Sequence, residues 1–256
     1  MYGAIIGDLA GSIYEFDQLN GIKNIKINNL IEENSFFSDD TILTVAVLDA
    51  INNGSLDYDL YLRKYIEKYK NYKPSFSPYF KSSFSPGLIK WSRDNVVGVS
   101  KGNGCMMRVS PVGYMFNCEK DVISNATLAT IPSHNTQESI CSAITISLII
   151  FYLRKGMSIT DIYKKLNLDV RYVPFEKFNT TCKETIGNCL YALYNSTSFE
   201  DAISQTIMMG GDTDTNACIV GSMAEALYGI DSSLIDKAKE KIPKEFVKVI
   251  DRSGFY

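Results

Sequence analysis

Apolar residues recur at helical spacing along most of the chain, and this periodicity constrains the fold more than any other feature. Side chains three and four residues apart share one face of an α-helix, so each such segment predicts a helix with a buried face. Alternating extended segments are scarce, and residues 22–27 are the best strand candidate. We predict an all-α fold in a single compact domain of residues 1–256. The predicted helices cover residues 4–16, 41–51, 58–69, 139–154, 159–166, 184–194, 199–209, 217–228 and 234–241.

Two stretches, residues 71–104 and 167–181, interrupt this pattern with prolines among aromatic and polar residues. Long irregular segments inside a compact domain are commonly binding loops, and flexible insertions are the alternative.

Composition excludes several classes of protein. With 26 basic and 29 acidic residues, the net charge of −3 gives no footprint for nucleic acid. Neither a basic leader nor an apolar span of about 18 residues occurs, so we expect a soluble, cytoplasmic protein. We also expect a monomer. The six cysteines form no CxxC pair, which favours buried free thiols. His134 is the one histidine, so any metal must rest mainly on oxygen ligands.

The run Gly210-Gly211-Asp212-Thr213-Asp214-Thr215-Asn216 directly precedes an apolar helical segment. Repulsion between Asp212 and Asp214 is unfavourable unless a metal cation, a cationic residue or water relieves it, and Mg²⁺ or Mn²⁺ accepts such oxygen ligands. An EF-hand loop would need Gly and Glu where the chain has Ala217 and Met223. A phosphatase-type aspartyl nucleophile would need a buried strand before it. Capping of the following helix by Asp212 stays open as an alternative.

A second acidic run, Ser38-Asp39-Asp40-Thr41, also stands directly before an apolar segment. The helix dipole favours carboxylates at a helix N-terminus, so we expect both runs to face inward, where facing carboxylates require cations.

Asp8 and Glu15 are seven positions apart and would share one face of the predicted first helix, where Gly7 and Gly11 permit close approach. A glutamate buried in such an apolar stretch is paired with a cation, bound to a metal or raised in pKa. The alternative is that Glu15 is exposed on an amphipathic helix.

Gly102-Asn103-Gly104 is typical of a tight turn, and its backbone N–H groups could bind phosphate oxygens together with Arg108. His134 precedes the apolar segment 139–154, where it could contact a substrate, cap a helix or be structural.

A serine hydrolase is a rival interpretation, because residues 98–102 match the G-x-S-x-G motif and Ser100, Asp121 and His134 follow in triad order. That motif needs a buried strand before it and a helix after it, and the sequence offers neither clearly.

In this order, the segments resemble the ADP-ribosylglycohydrolase family over residues 3–229. The resemblance is carried by residues 7–15, Ser38 to Thr41, Gly102 to Arg108, Ser133-His134 and Gly210 to Thr215. It implies an all-α, Mg²⁺-dependent hydrolase that cleaves the bond between the distal ribose of ADP-ribose and a protein arginine, a serine or another acceptor. A catalytically idle ADP-ribose-binding protein is the alternative.

The resemblance also implies roles for individual residues. Two Mg²⁺ ions, for which Mn²⁺ could substitute, would be held by Ser38, Asp39, Asp40, Asp212, Asp214, Thr215 and Glu15. The ADP-ribose site would be lined by Gly102, Asn103, Gly104, Cys105 and Met106, with His134 on the opposite wall. The candidates for catalytic proton transfer and water activation are Glu15, Asp39 and Asp40.

The chain departs from the family pattern at two positions near the adenosine and acceptor sides. Lys101 stands where relatives often have an aromatic residue, and Thr136 stands in a run where many have histidine, proline and glutamate. Residues 11–15 are somewhat nearer to the serine-type hydrolases than to the arginine-type.

Overall fold

The computed structural model describes residues 1–21, 23–74 and 82–255, which form helices joined by turns and irregular segments. The helices are α1 (Tyr2–Gly11), α2 (Glu15–Gln18), α3 (Asp39–Asn52), α4 (Tyr58–Tyr69), α5 (Pro86–Arg93), α6 (Gly104–Met107), α7 (Ser110–Met115), α8 (Glu119–His134), α9 (Gln137–Arg154), α10 (Ile159–Lys165), α11 (Cys182–Asn195), α12 (Phe199–Met208), α13 (Thr213–Tyr228), α14 (Ser232–Lys241) and α15 (Lys244–Arg252). Within the described ranges there is no β-strand, and only isolated bridges join Val99 to His134 and Gly102 to Thr181. The prediction of an all-α fold is confirmed.

The most extensive helix contact joins α1 to α13, which run antiparallel. A Cβ placed on Gly3, Gly7 or Gly11 would lie 2.1, 2.0 or 2.2 Å from the backbone carbonyl oxygens of Gly221, Ala217 and Thr213, respectively. Only glycine allows two backbones to approach this closely. The expected close approach at Gly7 and Gly11 is therefore confirmed, and it sets the end of α1 beside the start of α13.

Helix α13 forms the centre of the core, because its residues from Thr213 to Glu225 are buried. Helices α1, α9, α11 and α12 pack around it. Thr213 Oγ1 donates a hydrogen bond to the Gly11 carbonyl at 2.8 Å, which closes the junction between α1 and α13.

The predicted first helix is wrong beyond Gly11. Residues 12–14 form a turn in which Ser12 Oγ donates to the Leu9 carbonyl at 2.9 Å and accepts from the Phe36 N–H at 3.2 Å. Because Glu15 begins the separate helix α2, it does not share a helix face with Asp8.

The predicted strand is also wrong, since residues 23–27 are irregular and Ile22 lies outside the described residues. The isolated bridges of the described chain, at Val99 and Gly102, do not involve residues 23–27.

Several helices lie where the periodicity predicted none. Helix α8 mixes serines, threonines and Pro132 among its apolar residues, so it shows no single apolar stripe. Helix α5 lies inside the predicted loop 71–104, with Pro86 in its first turn and Ser85 as its N-cap. Helices α6, α7 and α15 were missed as well. Residues 167–181 are irregular, as predicted.

None of the helices in the described ranges combines the length and apolar character needed to cross a membrane.

Candidate metal centre and binding cleft

Asp8 ties the end of α1 to the start of α3. Its Oδ2 accepts hydrogen bonds from the backbone N–H groups of Ser38 at 2.9 Å and Thr41 at 3.0 Å, and from Thr41 Oγ1 at 2.5 Å. Its Oδ1 accepts from Ser38 Oγ at 2.8 Å. The first turn of a helix has N–H groups without helical partners, and Asp8 satisfies two of them. Asp8 thereby fixes the acidic run at the start of α3.

Two overlapping sets of three carboxylates lie at this junction. One oxygen each from Asp8, Asp40 and Asp214 lie within 4.8 Å of one another. The same holds for Glu15, Asp212 and Asp214. We call these five side chains the acidic cluster. The expectation that the two acidic runs face inward is confirmed, and Asp8 is a member that the resemblance did not place among the metal ligands.

Asp40 links α3 to α13 within the acidic cluster. Its Oδ2 accepts hydrogen bonds from Thr215 Oγ1 at 3.2 Å and from Ser38 Oγ at 3.1 Å. Its Oδ1 is buried and has no hydrogen-bond partner among the described residues. The Oε2 atom of Glu15 is buried and unpaired in the same way.

The electrostatics of the acidic cluster are unfavourable for ionised carboxylates. Burial raises the pKa of Asp8 to about 7, and repulsion from Asp214 acts in the same direction. Burial, followed by repulsion from neighbouring carboxylates, raises the pKa of Glu15, Asp40 and Asp214 well above the usual range. Asp39, which borders the cluster, shows the same shift in pKa for the same reasons. A divalent cation would relieve this repulsion.

Asp212 is held by two asparagines from other parts of the chain. Its backbone N–H donates to Asn179 Oδ1 at 2.8 Å, and its Oδ2 accepts from Asn103 Nδ2 at 2.7 Å. Asn179 Nδ2 also donates to Thr185 Oγ1 at 2.7 Å and to Asn216 Oδ1 at 2.9 Å. Asn179 was missed by sequence reasoning, because it lies in an irregular stretch that carries no motif.

The local structure rules out the other interpretations of the run at residues 210–216. The helix begins at Thr213, so no EF-hand loop forms, and α12 rather than a strand precedes the run. Asp212 stands at the N-cap position, but its side chain makes no capping hydrogen bond.

The acidic cluster opens into a cleft of about 1160 Å³. The cleft is lined by these residues that the sequence singled out: Glu15, Ser38, Asp39, Asp40, Gly102, Asn103, Gly104, Arg108, His134, Asp212, Asp214 and Thr215. Residues 82–91 and 93–94, in and around α5, form much of another wall. Part of the predicted loop 71–104 therefore borders the cleft, while residues 75–81 lie outside the described residues.

Cys105 and Met106 were predicted to line the cleft, and for their side chains this is wrong. Both are fully buried, because the turn of α6 directs them into the core, where Cys105 Sγ contacts the Ser139 carbonyl at 3.5 Å. The Met106 N–H donates to the Asn103 carbonyl at 2.8 Å.

The backbone donors of the Gly-Asn-Gly turn are partly engaged within the protein. The Gly102 N–H donates to Ser100 Oγ at 3.0 Å, and the Asn103 N–H donates to the Thr180 carbonyl at 3.0 Å. Arg108 is fully buried, and its Nη2 donates to the Ala129 carbonyl at 3.0 Å. The turn and Arg108 therefore do not form the simple phosphate cradle that the sequence suggested.

The serine hydrolase interpretation is wrong on geometry. Asp121 and His134 lie 13 positions apart on the same helix, α8, which separates them by roughly 20 Å along its axis. Ser100 lies between isolated bridges rather than on a turn between a strand and a helix.

The two departures from the family pattern have local roles. The Lys101 carbonyl accepts from the Cys182 N–H at 3.0 Å while its side chain is exposed. Thr136 is the N-cap of α9 and accepts from the Ser139 N–H at 3.2 Å.

Comparison with known proteins gives a consistent result. The family model for ADP-ribosylglycohydrolase matches residues 1–252. An Acanthamoeba polyphaga mimivirus protein assigned as an ADP-ribosyl glycohydrolase is 27% identical, over 93% of this chain and 91% of its own length. The ADP-ribosyl-[dinitrogen reductase] glycohydrolase of Rhodospirillum rubrum is 24% identical, over 59% of this chain and 55% of its own length. An ADP-ribosylarginine hydrolase of Serratia proteamaculans is 23% identical, over 90% of this chain and 70% of its own length.

Among solved structures, a chain of an ADP-ribosylglycohydrolase-related protein complex superposes with a TM-score of 0.68. It is 16% identical, and the match covers 99% of this chain and 93% of that one. This likeness shows the fold.

Proposed function

Because the chain belongs to the ADP-ribosylglycohydrolase family and is thus a hydrolase of glycosyl bonds, we propose that it releases ADP-ribose from ADP-ribosylated proteins in a Mg²⁺-dependent reaction. The observation that carries this proposal is the convergence of the acidic cluster, the Gly102–Gly104 turn and His134 on one cleft.

The donor set fits a hard divalent cation. Asp40 Oδ1 and Glu15 Oε2 are buried acceptors that find no partner among the described residues, and an unpaired buried acceptor is costly. Carboxylate and hydroxyl oxygens are ligands that Mg²⁺ and Mn²⁺ accept. We propose that two ions are held by Glu15, Ser38, Asp39, Asp40, Asp212, Asp214 and Thr215, with Asp8 fixing the first turn of α3 beneath them.

The proposed reaction adds water across the bond from the anomeric carbon of the distal ribose to the acceptor. That bond breaks, and the products are free ADP-ribose and the unmodified acceptor. Bound Mg²⁺ would supply Lewis acidity, which orients the ribose hydroxyls and lowers the pKa of a water molecule. The Gly102–Gly104 turn and His134 would hold the ADP-ribose on the other side of the cleft.

Glu15, Asp39 and Asp40 are the proposed groups for accepting and returning a proton. All three line the cleft. Glu15 Oε2 and Asp40 Oδ1 both lack a hydrogen-bond partner among the described residues, but the other oxygen of Asp40, Oδ2, is engaged by Ser38 and Thr215. A proton acceptor needs such an oxygen within reach of the reacting water. We therefore place Glu15 first.

Two indications concern the acceptor linkage. The run at residues 11–15 favours a serine linkage, whereas the Serratia proteamaculans relative is an ADP-ribosylarginine hydrolase. Peptides that carry ADP-ribose through serine and through arginine are therefore the two main substrates of the test described next.

The test incubates the protein with arginine-linked and serine-linked ADP-ribosyl peptides, with Mg²⁺ or with a chelator, and identifies the products by mass spectrometry. We expect intact ADP-ribose and unmodified peptide from at least one linkage, only when Mg²⁺ is present. Binding of ADP-ribose without cleavage of either peptide or of a nucleic-acid adduct would favour the idle binding protein. Cleavage that is unaffected by the chelator would contradict the metal-dependent mechanism.

A further inference from the structure

His134 stands at the end of α8 with one nitrogen toward the protein and the other toward the cleft. Its Nδ1 lies 2.7 Å from Ser133 Oγ. A Cβ placed on Gly102 or on Gly104 would lie 3.6 Å from His134 Nε2, so the prediction that His134 lies on the wall opposite this turn is wrong, and Nε2 stands beside the turn that lines the cleft. No described residue makes a hydrogen bond to Nε2. His134 is 5% exposed and lines the cleft, so Nε2 is the ring nitrogen that is left to bind a ligand.

Ser133 connects His134 to the buried guanidinium group of Arg108. Arg108 Nη2 donates to Ser133 Oγ at 2.7 Å and to the Ala129 carbonyl at 3.0 Å. Arginine has donors and no acceptor, so Ser133 Oγ can only accept from it. The Ser133 hydroxyl proton then remains free to donate, and the acceptor within reach among the described residues is His134 Nδ1.

We infer that Arg108 and Ser133 act as positioning residues that fix His134 as the neutral imidazole with its proton on Nε2. Arg108 donates to Ser133 Oγ, and if that oxygen also accepted from Nδ1 its own proton would be buried without an acceptor among the described residues, so Ser133 donates to His134 Nδ1. A neutral imidazole that accepts at Nδ1 carries its proton at Nε2.

The nearby charge also favours the neutral form. Burial, and then the positive charge of Arg108, lowers the pKa of His134 well below its usual value. The Nε2–H group of His134 is therefore a fixed hydrogen-bond donor that faces the cleft and carries no full charge. It is suited to an oxygen acceptor of a ligand that lies on the Gly102–Gly104 turn. That this ligand is ADP-ribose rests on the proposed function, whereas the tautomer does not.

The direct test is the ¹⁵N spectrum of the imidazole. His134 is the only histidine, so protein labelled with ¹⁵N-histidine gives one set of two-bond ¹H–¹⁵N correlations and needs no assignment. At neutral pH we expect a pyridine-type shift at Nδ1 and a pyrrole-type shift at Nε2. The reversed pattern, or that of an imidazolium, would overturn the inference without any variant being made.

Substitution of the intermediate residue tests the relay. In Ser133→Ala the donor to Nδ1 is lost, so we expect a mixture of tautomers and about a tenfold weaker Kd for ADP-ribose. Ser133→Thr keeps the hydroxyl and should restore both. The matched control is Ser147→Ala, which removes another buried serine hydroxyl, on α9, and should change neither reading.

An unchanged tautomer in Ser133→Ala would overturn the relay. If the tautomer responds as expected but wild-type protein neither binds ADP-ribose nor cleaves its conjugates, the proposed function fails and the relay stands. If cleavage is found but the wild-type proton lies on Nδ1, the relay fails and the proposed function stands.

Discussion

At the scale of single residues, the acidic cluster depends on where each oxygen finds a partner. Asp8 accepts four hydrogen bonds, whereas Asp40 and Glu15 each keep a buried oxygen without a partner among the described residues. Asp214 belongs to both sets of three carboxylates. Asp8 is thus suited to hold structure, while Asp214 is suited to hold cations.

Asp214→Asn tests this division of roles. The change keeps the shape of the side chain but removes one negative charge from both carboxylate sets, so we expect loss of saturable Mn²⁺ binding and at least about a thousandfold loss of activity. Because repulsion is relieved, the metal-free variant should melt at a higher temperature than metal-free wild type.

The control is Asp236→Asn, an exposed aspartate on α14, which should leave both properties unchanged. Retained Mn²⁺ binding in Asp214→Asn would contradict the assignment of the site.

Asn179→Ala tests whether Asn179 positions Asp212. Loss of the acceptor for the Asp212 N–H should weaken the apparent affinity for Mg²⁺, measured by activity against Mg²⁺ concentration, about 10- to 100-fold. The control is Asn188→Ala, because Asn188 is also buried and holds the same irregular stretch through both hydrogen bonds to the Val173 backbone. Equal effects of the two variants on the Mg²⁺ requirement would show that Asn179 only anchors that stretch.

At the scale of helices, the antiparallel contact between α1 and α13 brings Asp8 to the start of α13. Gly7→Ala would place a Cβ 2.0 Å from the Ala217 carbonyl, and backbone cannot yield as a flexible side chain does. We expect a loss of about 3 kcal/mol or more in the free energy of unfolding, measured with denaturant.

The matched control is Gly187→Ala in α11, where a Cβ would meet no atom within 4 Å. Since alanine favours a helix over glycine, this variant should gain up to about 1 kcal/mol. A Gly7→Ala protein as stable as Gly187→Ala would contradict the packing of α1 on α13.

The sequence predicted those helices that carry a regular apolar face. Helix α4, Tyr58–Tyr69, was predicted to the residue, and α13 was predicted from its apolar part. Helix α8 was missed because polar residues and Pro132 obscure its buried face, which becomes visible only against α9. The break at residues 12–14 depends on a contact between Ser12 and Phe36, and no local pattern reports a contact between such distant positions.

At the scale of the whole molecule, the sequence predicted which acidic residues come together better than it predicted the residues that hold them in place. Carboxylates at two helix starts are a local signal, so their meeting could be anticipated. The hydrogen bonds of Asn179 to Asp212 and of Ser133 to Arg108 could not be anticipated, because only the fold brings these partners within hydrogen-bond distance.

We propose that residues 1–256 form one domain, because the last helices pack on the first ones, α14 on α1 and α15 on α3, while α1 and α3 also pack on the central helix α13. One unfolding transition, with the fluorescence of Trp91 and the far-ultraviolet circular dichroism changing together, is expected. Two separate transitions would contradict a single domain.

The stability of the protein should depend on pH and Mg²⁺ together. The pKa of Asp8 is raised from 3.8 to about 7 on folding, so the metal-free protein loses stability as the pH rises between these values. Mg²⁺ binds ionised carboxylates and releases protons, so it should raise the melting temperature more at about pH 8 than at about pH 5.5. At about 100 times Kd the gain is about 2.7 kcal/mol, or roughly 5–10 °C. An equal gain at both pH values would contradict proton release from the acidic cluster.

The Mg²⁺ requirement of the proposed hydrolase can be measured as the rate of ADP-ribose release by metal-free protein as Mg²⁺ is returned. We predict no release above background without Mg²⁺, and a saturable return of activity that follows occupancy of the acidic cluster. Full activity in the metal-free protein would contradict a metal-dependent reaction at the acidic cluster.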